Sequence, residues 1–334
     1  MGRLIILIPW EVSMSKRGLS GEFFKALKAG ILKQILAQVL QDNTLDLQIR
    51  KDEVHIYYRG GKILGIKPIQ DGKFNFYFDK NYCKTSKNKN LINSLQKKIN
   101  LVTEVEIWIE NIPFIKQIMD YYLTNVSKKD EREFQQLVVR ENNYSNISNS
   151  TDYFILDIEY DRPEFNAKFD LIAIKWKSTA AQRKQTGVDK YPPRIVFIEK
   201  KYADGALNGS AGIIKHIKDI EKFLENGNNL KTLKEEMINV FKQKRELGLI
   251  KFGFGANPGT LNKISDEKPE LILLLANHDP GSEKLLKELE KLPPSQQIKL
   301  KVAISNFMGY GFYDENIYPI DEFRDKFKKQ IYSS

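Results

Sequence analysis

Cysteine is all but missing from this chain: Cys83 is the only one among 334 residues. A lone cysteine excludes an intramolecular disulfide and any thiolate zinc site built within one chain, and it fits a reducing cytoplasm. Histidine is scarce as well, with three in the whole sequence. His55 and His278 have no second ligand at metal-binding spacing, so neither takes a role. Long apolar runs are also missing. The N-terminal stretch Leu4-Ile5-Ile6-Leu7-Ile8 is stopped by Pro9-Trp10-Glu11, too short for a signal-peptide core and far short of a membrane span. A soluble, cytoplasmic protein that makes no use of a membrane is therefore expected, and no internal repeat is visible.

Positive charge is abundant. Lys and Arg number 53 against 43 acids, and the net +10 favours a polyanionic partner such as nucleic acid. Charge alone is not decisive, because a lysine-rich chain shows the same excess without any partner. At 41% hydrophobic residues the chain can bury a full core, and its length suggests two domains.

Ser20 is placed to cap a helix in which Phe23, Phe24, Leu27, Ile31, Ile35, Leu36 and Val39 recur at helical spacing. Short β-type runs follow at 45–49, 54–58, 63–66 and 74–78, separated by Lys51-Asp52, Gly60-Gly61 and Asp71-Gly72. Such punctuation predicts a small antiparallel meander. Residues 91–126 are largely helical by periodicity, and the stripe Ile115, Ile118, Met119, Tyr122 reads as core. Ser127 and Asp130 resemble a capping box that opens a helix through Glu133, Phe134, Leu137, Val138 and Glu141. The pattern then changes to apolar, β-rich runs at 153–158, 169–174 and 194–198, the last continuously apolar as in a strand buried on both faces. A helix carrying Ile213, Ile214, Ile217, Ile220 and Phe223 comes next, then strands at 271–276 and 301–305 and helices at 282–292 and 321–332. The expected class is mixed α/β: an N-terminal α+β domain over 1–126, and from 127–334 a mixed sheet flanked by helices.

The third of those runs ends in Glu199-Lys200-Lys201. Residues two apart on a strand share a face, so Glu199 and Lys201 sit together. A strand emerging into solvent would also tolerate such a tripeptide. Asp170 argues for more, because an isolated acid interrupts the apolar run Phe169-Asp170-Leu171-Ile172-Ala173-Ile174 on a neighbouring strand. If the two strands pair, Asp170 and Glu199 converge on a hard divalent cation, with Lys201 beside its water.

With these residues in these elements, the chain resembles the PD-(D/E)XK, or restriction-endonuclease-like, nuclease superfamily over about 128–225. Asp170 matches the motif aspartate, Glu199 the (D/E) position and Lys201 the lysine. Glu133 matches the acid often added from the preceding helix, with Glu141 on the same helix as the alternative. Phe169 stands where the name-giving proline would be, and Lys200 takes the variable middle position, where an apolar residue is frequent. The resemblance implies hydrolysis of a phosphodiester in DNA with Mg²⁺ or Mn²⁺. Asp170 and Glu199 would be metal ligands, the Lys200 carbonyl a third, and Lys201 would orient or deprotonate the attacking water. A bound cation lowers the pKa of its water from about 15.7 toward neutrality and offsets charge on the phosphate.

Between the second and third strands, 175–194 holds Lys175, Lys177, Arg183, Lys184, Lys190 and Arg194 against Asp189 alone, and is read as a phosphate-contacting loop. The helix after the motif, fed by the small-residue linker 204–212, adds Lys215 and His216 as residues that would touch substrate. Gly253-Phe254-Gly255-Ala256-Asn257-Pro258-Gly259 departs from nucleotide-binding spacing and reads as a turn. A binding or scaffold protein that keeps the nuclease fold without catalysis is the alternative. The sequence is silent on oligomeric state, a homodimer being one arrangement it allows.

Overall fold

Ser20 does cap a helix: its hydroxyl accepts the Phe23 amide and opens α1 (Gly21–Ala29). The single helix expected here is two, however. Gly30 ends α1 with an extended backbone, and a Cβ there would lie 2.9 Å from the Ala26 Cα, so the chain turns before α2 (Lys33–Gln41). The computed structural model describes residues 17–332 apart from 84–89, 91, 96, 97, 128, 129, 146, 206, 251–258, 280, 293, 306–311 and 313. The runs Leu4 to Ile8 and Pro9 to Glu11, and the turn 253–258, lie outside the described residues.

The expected meander is present and has a fifth strand. β1 (Leu45–Ile49), β2 (Val54–Tyr58), β3 (Gly61–Pro68), β4 (Phe74–Tyr77) and β5 (Lys98–Ile99) follow in order, each antiparallel to the next. Asp52, Gly60, Asp71 and Gly72 all take positive φ at the turns, the left-handed backbone those residue types tolerate best. α3 (Val102–Asn125) lays Trp108, Ile115, Ile118, Met119 and Tyr122 against this sheet, so its stripe is core.

The second half is a six-stranded mixed sheet in the order β11-β10-β9-β8-β7-β6. After α4 (Asp130–Asn143) come β6 (Tyr153–Arg162), β7 (Ala167–Lys175) and β8 (Arg194–Tyr202), joined as antiparallel neighbours. Then α5 (Ile213–Glu225) and α6 (Gly227–Glu246) carry the chain back, and β9 (Glu270–Ala276) runs parallel to β8. α7 (Glu283–Glu290) leads to β10 (Lys299–Ser305), parallel to β9. The edge strand β11 (Ile317–Pro319) and α8 (Ile320–Tyr332) close the chain. α6 was not expected from the sequence, because Asn and Lys dilute its apolar positions; it buries Leu233, Met237, Val240 and Phe241. α5 and α6 cover one face of the sheet, packing Phe223 and Phe241 against Phe169, Phe197 and Phe154. α4 covers the other, with Phe134, Val138 and Val139 beside Leu171, Val196 and Ile198. The class is thus mixed α/β, and among the described residues no helix is long and apolar enough to cross a membrane.

The two sheets fall on either side of the 126/127 boundary, yet they are stitched together. One hydrophobic cluster runs from Leu19 through the first sheet to Phe327. The β2–β3 turn grips the first turns of α4. Arg59 donates from Nε and Nη2 to the two Glu133 oxygens at 2.8 and 3.0 Å, and from Nη1 to Asp120 at 2.8 Å. The Gly60 amide donates to Gln136 Oε1 at 2.6 Å, and Gln136 Nε2 donates to the Thr44 carbonyl at 3.0 Å. Gly60 has φ +73°, and a Cβ on it would meet the Arg132 carbonyl oxygen at 2.2 Å. Gly60→Ala should therefore destabilise the protein by about 1–3 kcal/mol, through φ strain and displacement of α4. The check is the urea midpoint against that of Gly72→Ala, a position with φ +68° and open space around it.

Candidate active site

β8 is apolar through Ile195-Val196-Phe197-Ile198 and then buries three charged residues in a row. Glu199 is 4% exposed, Lys200 0% and Lys201 3%. Ions buried in this way persist only with partners, since each loses several kcal/mol of hydration. Lys201 Nζ donates to Glu199 Oε1 at 2.8 Å and to the Ala211 carbonyl at 2.7 Å. That carbonyl belongs to the turn before α5. One helical turn on, His216 Nε2 lies 3.4 Å from the same Glu199 oxygen.

Asp170 joins from β7. The β7–β8 register runs from Lys175↔Arg194 to Leu171↔Ile198, and Asp170 lies immediately beyond its end. There its Oδ2 accepts the Lys200 backbone amide at 2.9 Å, while its own carbonyl accepts the Gln135 side chain at 2.6 Å. Asp170 therefore meets the motif on β8, as expected from the pairing of the two strands.

The Lys200 ammonium has no hydrogen-bond partner among the described residues. Its compensation is electrostatic, from Asp170 and then Glu131, Glu159 and Glu199. Burial still outweighs these and brings its pKa down to about 8. Glu199 moves the other way. Burial, and then the charge of Asp170, push its carboxyl up to about 8 against the pull of Lys201. Desolvation also raises the Glu131 carboxyl, with Lys200 pulling it back. Burial, then the neighbouring Lys201, hold the His216 imidazole below its ordinary range.

On α4 the acid that acts on β8 is Glu131 rather than the expected Glu133, and it acts chiefly on Lys200, on the face of the strand away from the Glu199–Lys201 pair. Two residues along a helix turn about 200°, so Glu133 points away and binds Arg59. Glu141 lies ten residues beyond Glu131, about 15 Å along the axis, and is out of reach. Glu159 was not expected either. It sits on β6 with φ +50°, outside the regular β6–β7 pairing. Acids in a first helical turn read as ordinary N-terminal charge, and nothing in the sequence marks the backbone turn at Glu159.

The basic loop is the larger correction. Lys175 faces Arg194 across the strands, five residues and about 17 Å from Glu199 along β8. The loop 175–194 therefore emerges at the opposite end of the sheet. Lys175 pairs there with Asp314 and, at 3.9 Å, with buried Glu270. Arg183 is buried; its guanidinium donates to the carbonyls of Trp176 at 3.0 Å, Ser148 at 3.3 Å and Thr151, and burial lowers its pKa to about 10. Lys177 and Lys184 are exposed at that same far end. Of the α5 pair, His216 reaches the site, whereas Lys215 is an exposed partner of Asp219.

The donor set suits a hard cation: Asp170 and Glu199 offer carboxylate oxygens and Lys200 a backbone carbonyl. Among the described residues no three His, Cys, Asp or Glu side chains gather as a ready-made cage. Mg²⁺ asks for less, one or two carboxylates with water and phosphate completing the shell. Comparison with protein-family models, curated proteins and solved structures finds no match to this chain.

The raised Glu199 pKa carries a sign. A folded-state value near 8 against about 4.5 unfolded means that its protonation stabilises the fold fully below pH 4.5, and that this contribution is lost as pH rises through about 8. In chelator-treated protein the melting temperature should fall across that window relative to Glu199→Gln, which has no proton to lose. Parallel pH profiles for the two proteins would contradict the burial of an ionisable Glu199.

Proposed function

We propose that the protein is a metal-dependent nuclease that hydrolyses phosphodiester bonds in DNA, with Mg²⁺ or Mn²⁺. What supports this is the meeting of Asp170, Glu199 and Lys201 at one place, drawn from two neighbouring strands inside an α4-β6-β7-β8-α5-α6-β9 order that resembles the PD-(D/E)XK core with one added helix. DNA is preferred on the resemblance alone.

Asp170, Glu199 and the Lys200 carbonyl would hold the cation, which supplies a water made acidic by coordination and charge to set against the phosphate. Lys201, already bonded to Glu199, is placed to orient that water as a donor. The Lys200 amide fixes the Asp170 carboxylate through its 2.9 Å bond. Lys201 offsets negative charge gathered at the reacting phosphate, whereas the Lys200 side chain projects to the opposite, α4-covered face of β8. His216 stands within reach as a further donor to substrate oxygen.

A second reading has an observation of its own. Glu199 and Lys201 neutralise each other and are almost wholly buried, as they would be in a scaffold that has kept the fold without the reaction.

Cleavage of linear, circular and single-stranded DNA, with and without Mg²⁺ or Mn²⁺, separates the two. The nuclease reading expects metal-dependent cutting, lost to background in Asp170→Ala and reduced about 10²–10⁴-fold in Lys201→Ala. Cutting unchanged in both variants rejects the site. DNA binding without cleavage under any of these conditions supports the scaffold.

Loading the cation also requires Glu199 to give up its proton. Apparent Mg²⁺ affinity, followed by calorimetry, should fall about tenfold per pH unit below about 8 and level off above it. Flat affinity between pH 6 and 8 would show that Glu199 is already ionised across that range.

A further inference from the structure

Residues two apart on a regular strand share a face of the sheet. On β7, Leu171 and Ala173 pack on the α4 side, whereas Ala167 and Phe169 pack on the side of α5 and α6. Side-chain alternation therefore breaks at Asp170. The facing strand breaks opposite it: Ile158 lies on the α4 side and Tyr160 on the other, with Glu159 at φ +50° between them. The β6–β7 ladder pairs Ile158 with Leu171 and Tyr160 with Phe169, and passes over Glu159 and Asp170.

This break gives Asp170 a direction that a regular strand position lacks. A side chain in regular register stands roughly perpendicular to the sheet, whereas the backbone amides of a strand point along its plane. Asp170 Oδ2 accepts the Lys200 backbone amide at 2.9 Å, beyond the last β7–β8 pair, Leu171↔Ile198. Its carboxylate thus lies level with the strands, in the gap where the two separate. From there it can share a cation with Glu199, whose side chain leaves β8 toward α5 and His216.

A backbone drawn out of its ladder needs donors from elsewhere, because a buried carbonyl without one is costly. At Asp170 the donor is Gln135. Its Nε2 reaches the Asp170 carbonyl from α4 at 2.6 Å, and the side chain is 4% exposed. Glutamine is mostly a surface residue. Here it is buried on the helix whose Phe134 and Val138 fill the α4-side core, and its amide is directed at the break.

We infer that Gln135 is the positioning residue of Asp170: by holding the carbonyl it keeps the strand broken, and the break keeps the carboxylate turned toward the cation. Gln135 acts through Asp170 and is not a ligand itself. The inference rests on the nuclease reading of the site and adds to it a buried residue of α4 that sets metal affinity.

Gln135→Met keeps the length of the side chain and removes the donor. In the full-length protein it should weaken Mg²⁺ and Mn²⁺ binding, read by calorimetry, about 10–100-fold, the range found when a residue that orients a metal ligand is lost. The kcat for DNA cleavage at fixed Mg²⁺ should fall to a similar extent, with the KM for DNA unchanged. In metal-free protein the Lys200 amide should exchange with solvent about tenfold faster, approaching its rate in Asp170→Ala, because its acceptor has moved. Gln135→Glu, of the same shape and without the donor, repeats these measurements should the Met variant fail to fold. Val139→Ala removes buried apolar volume one turn along the same helix; it should lower the melting temperature and leave metal affinity at the wild-type value. Wild-type metal affinity or a protected Lys200 amide in the Gln135 variants overturns the inference, and with cleavage intact leaves the nuclease reading standing. Equal weakening in Val139→Ala overturns it too, since packing alone would then account for the loss. A wild-type protein that neither binds these cations nor cuts DNA defeats the nuclease reading, and this inference with it.

Discussion

Taking a carboxylate or an ammonium out of water costs several kcal/mol even after the surroundings relax, and β8 does so at three successive residues. That cost shapes everything around the strand end. Glu199 is offset by Lys201, and Lys201 also by the Ala211 carbonyl. Lys200 is offset by a field of acids drawn from α4, β6, β7 and β8 itself. No single element could supply this compensation. The arrangement holds only while the strands and α4 keep their places.

The first sheet contributes to keeping α4 in place. Its β2–β3 turn fits so closely against the Arg132 carbonyl that only a glycine is accommodated at position 60, and Arg59 and Gln136 lock the turn to the helix. Glu133 serves this seam while Glu131 faces Lys200, although only Arg132 separates them. The N-terminal half is thereby fastened to the helix that packs on β8, and its Arg50 and Lys51 line a cleft against the β6–β7 hairpin.

Much of the fold was legible because it follows local rules. Turn residues at Asp52, Gly60 and Asp71-Gly72 marked the meander, and the continuous apolar run 195–198 marked a strand covered on both faces. Asp170 and the Glu199–Lys201 pair were visible for the same reason, as charges standing where packing alone offers no place for them. The break at Gly30 and the helix α6 were missed, since apolar spacing continues across the first and is diluted by polar residues in the second.

The sequence by itself determined the elements, the mixed α/β class and the motif on β8, because strand alternation and the cost of burying charge act over a few residues at a time. Only the tertiary structure decided which acid faces the motif, at which end of the sheet each basic residue emerges, and that two sheets enclose a cleft between them. Those outcomes depend on the rotation of α4, the direction of β7 against β8, and contacts between residues more than a hundred positions apart, such as Arg50 with Asp157. No local pattern carries that information.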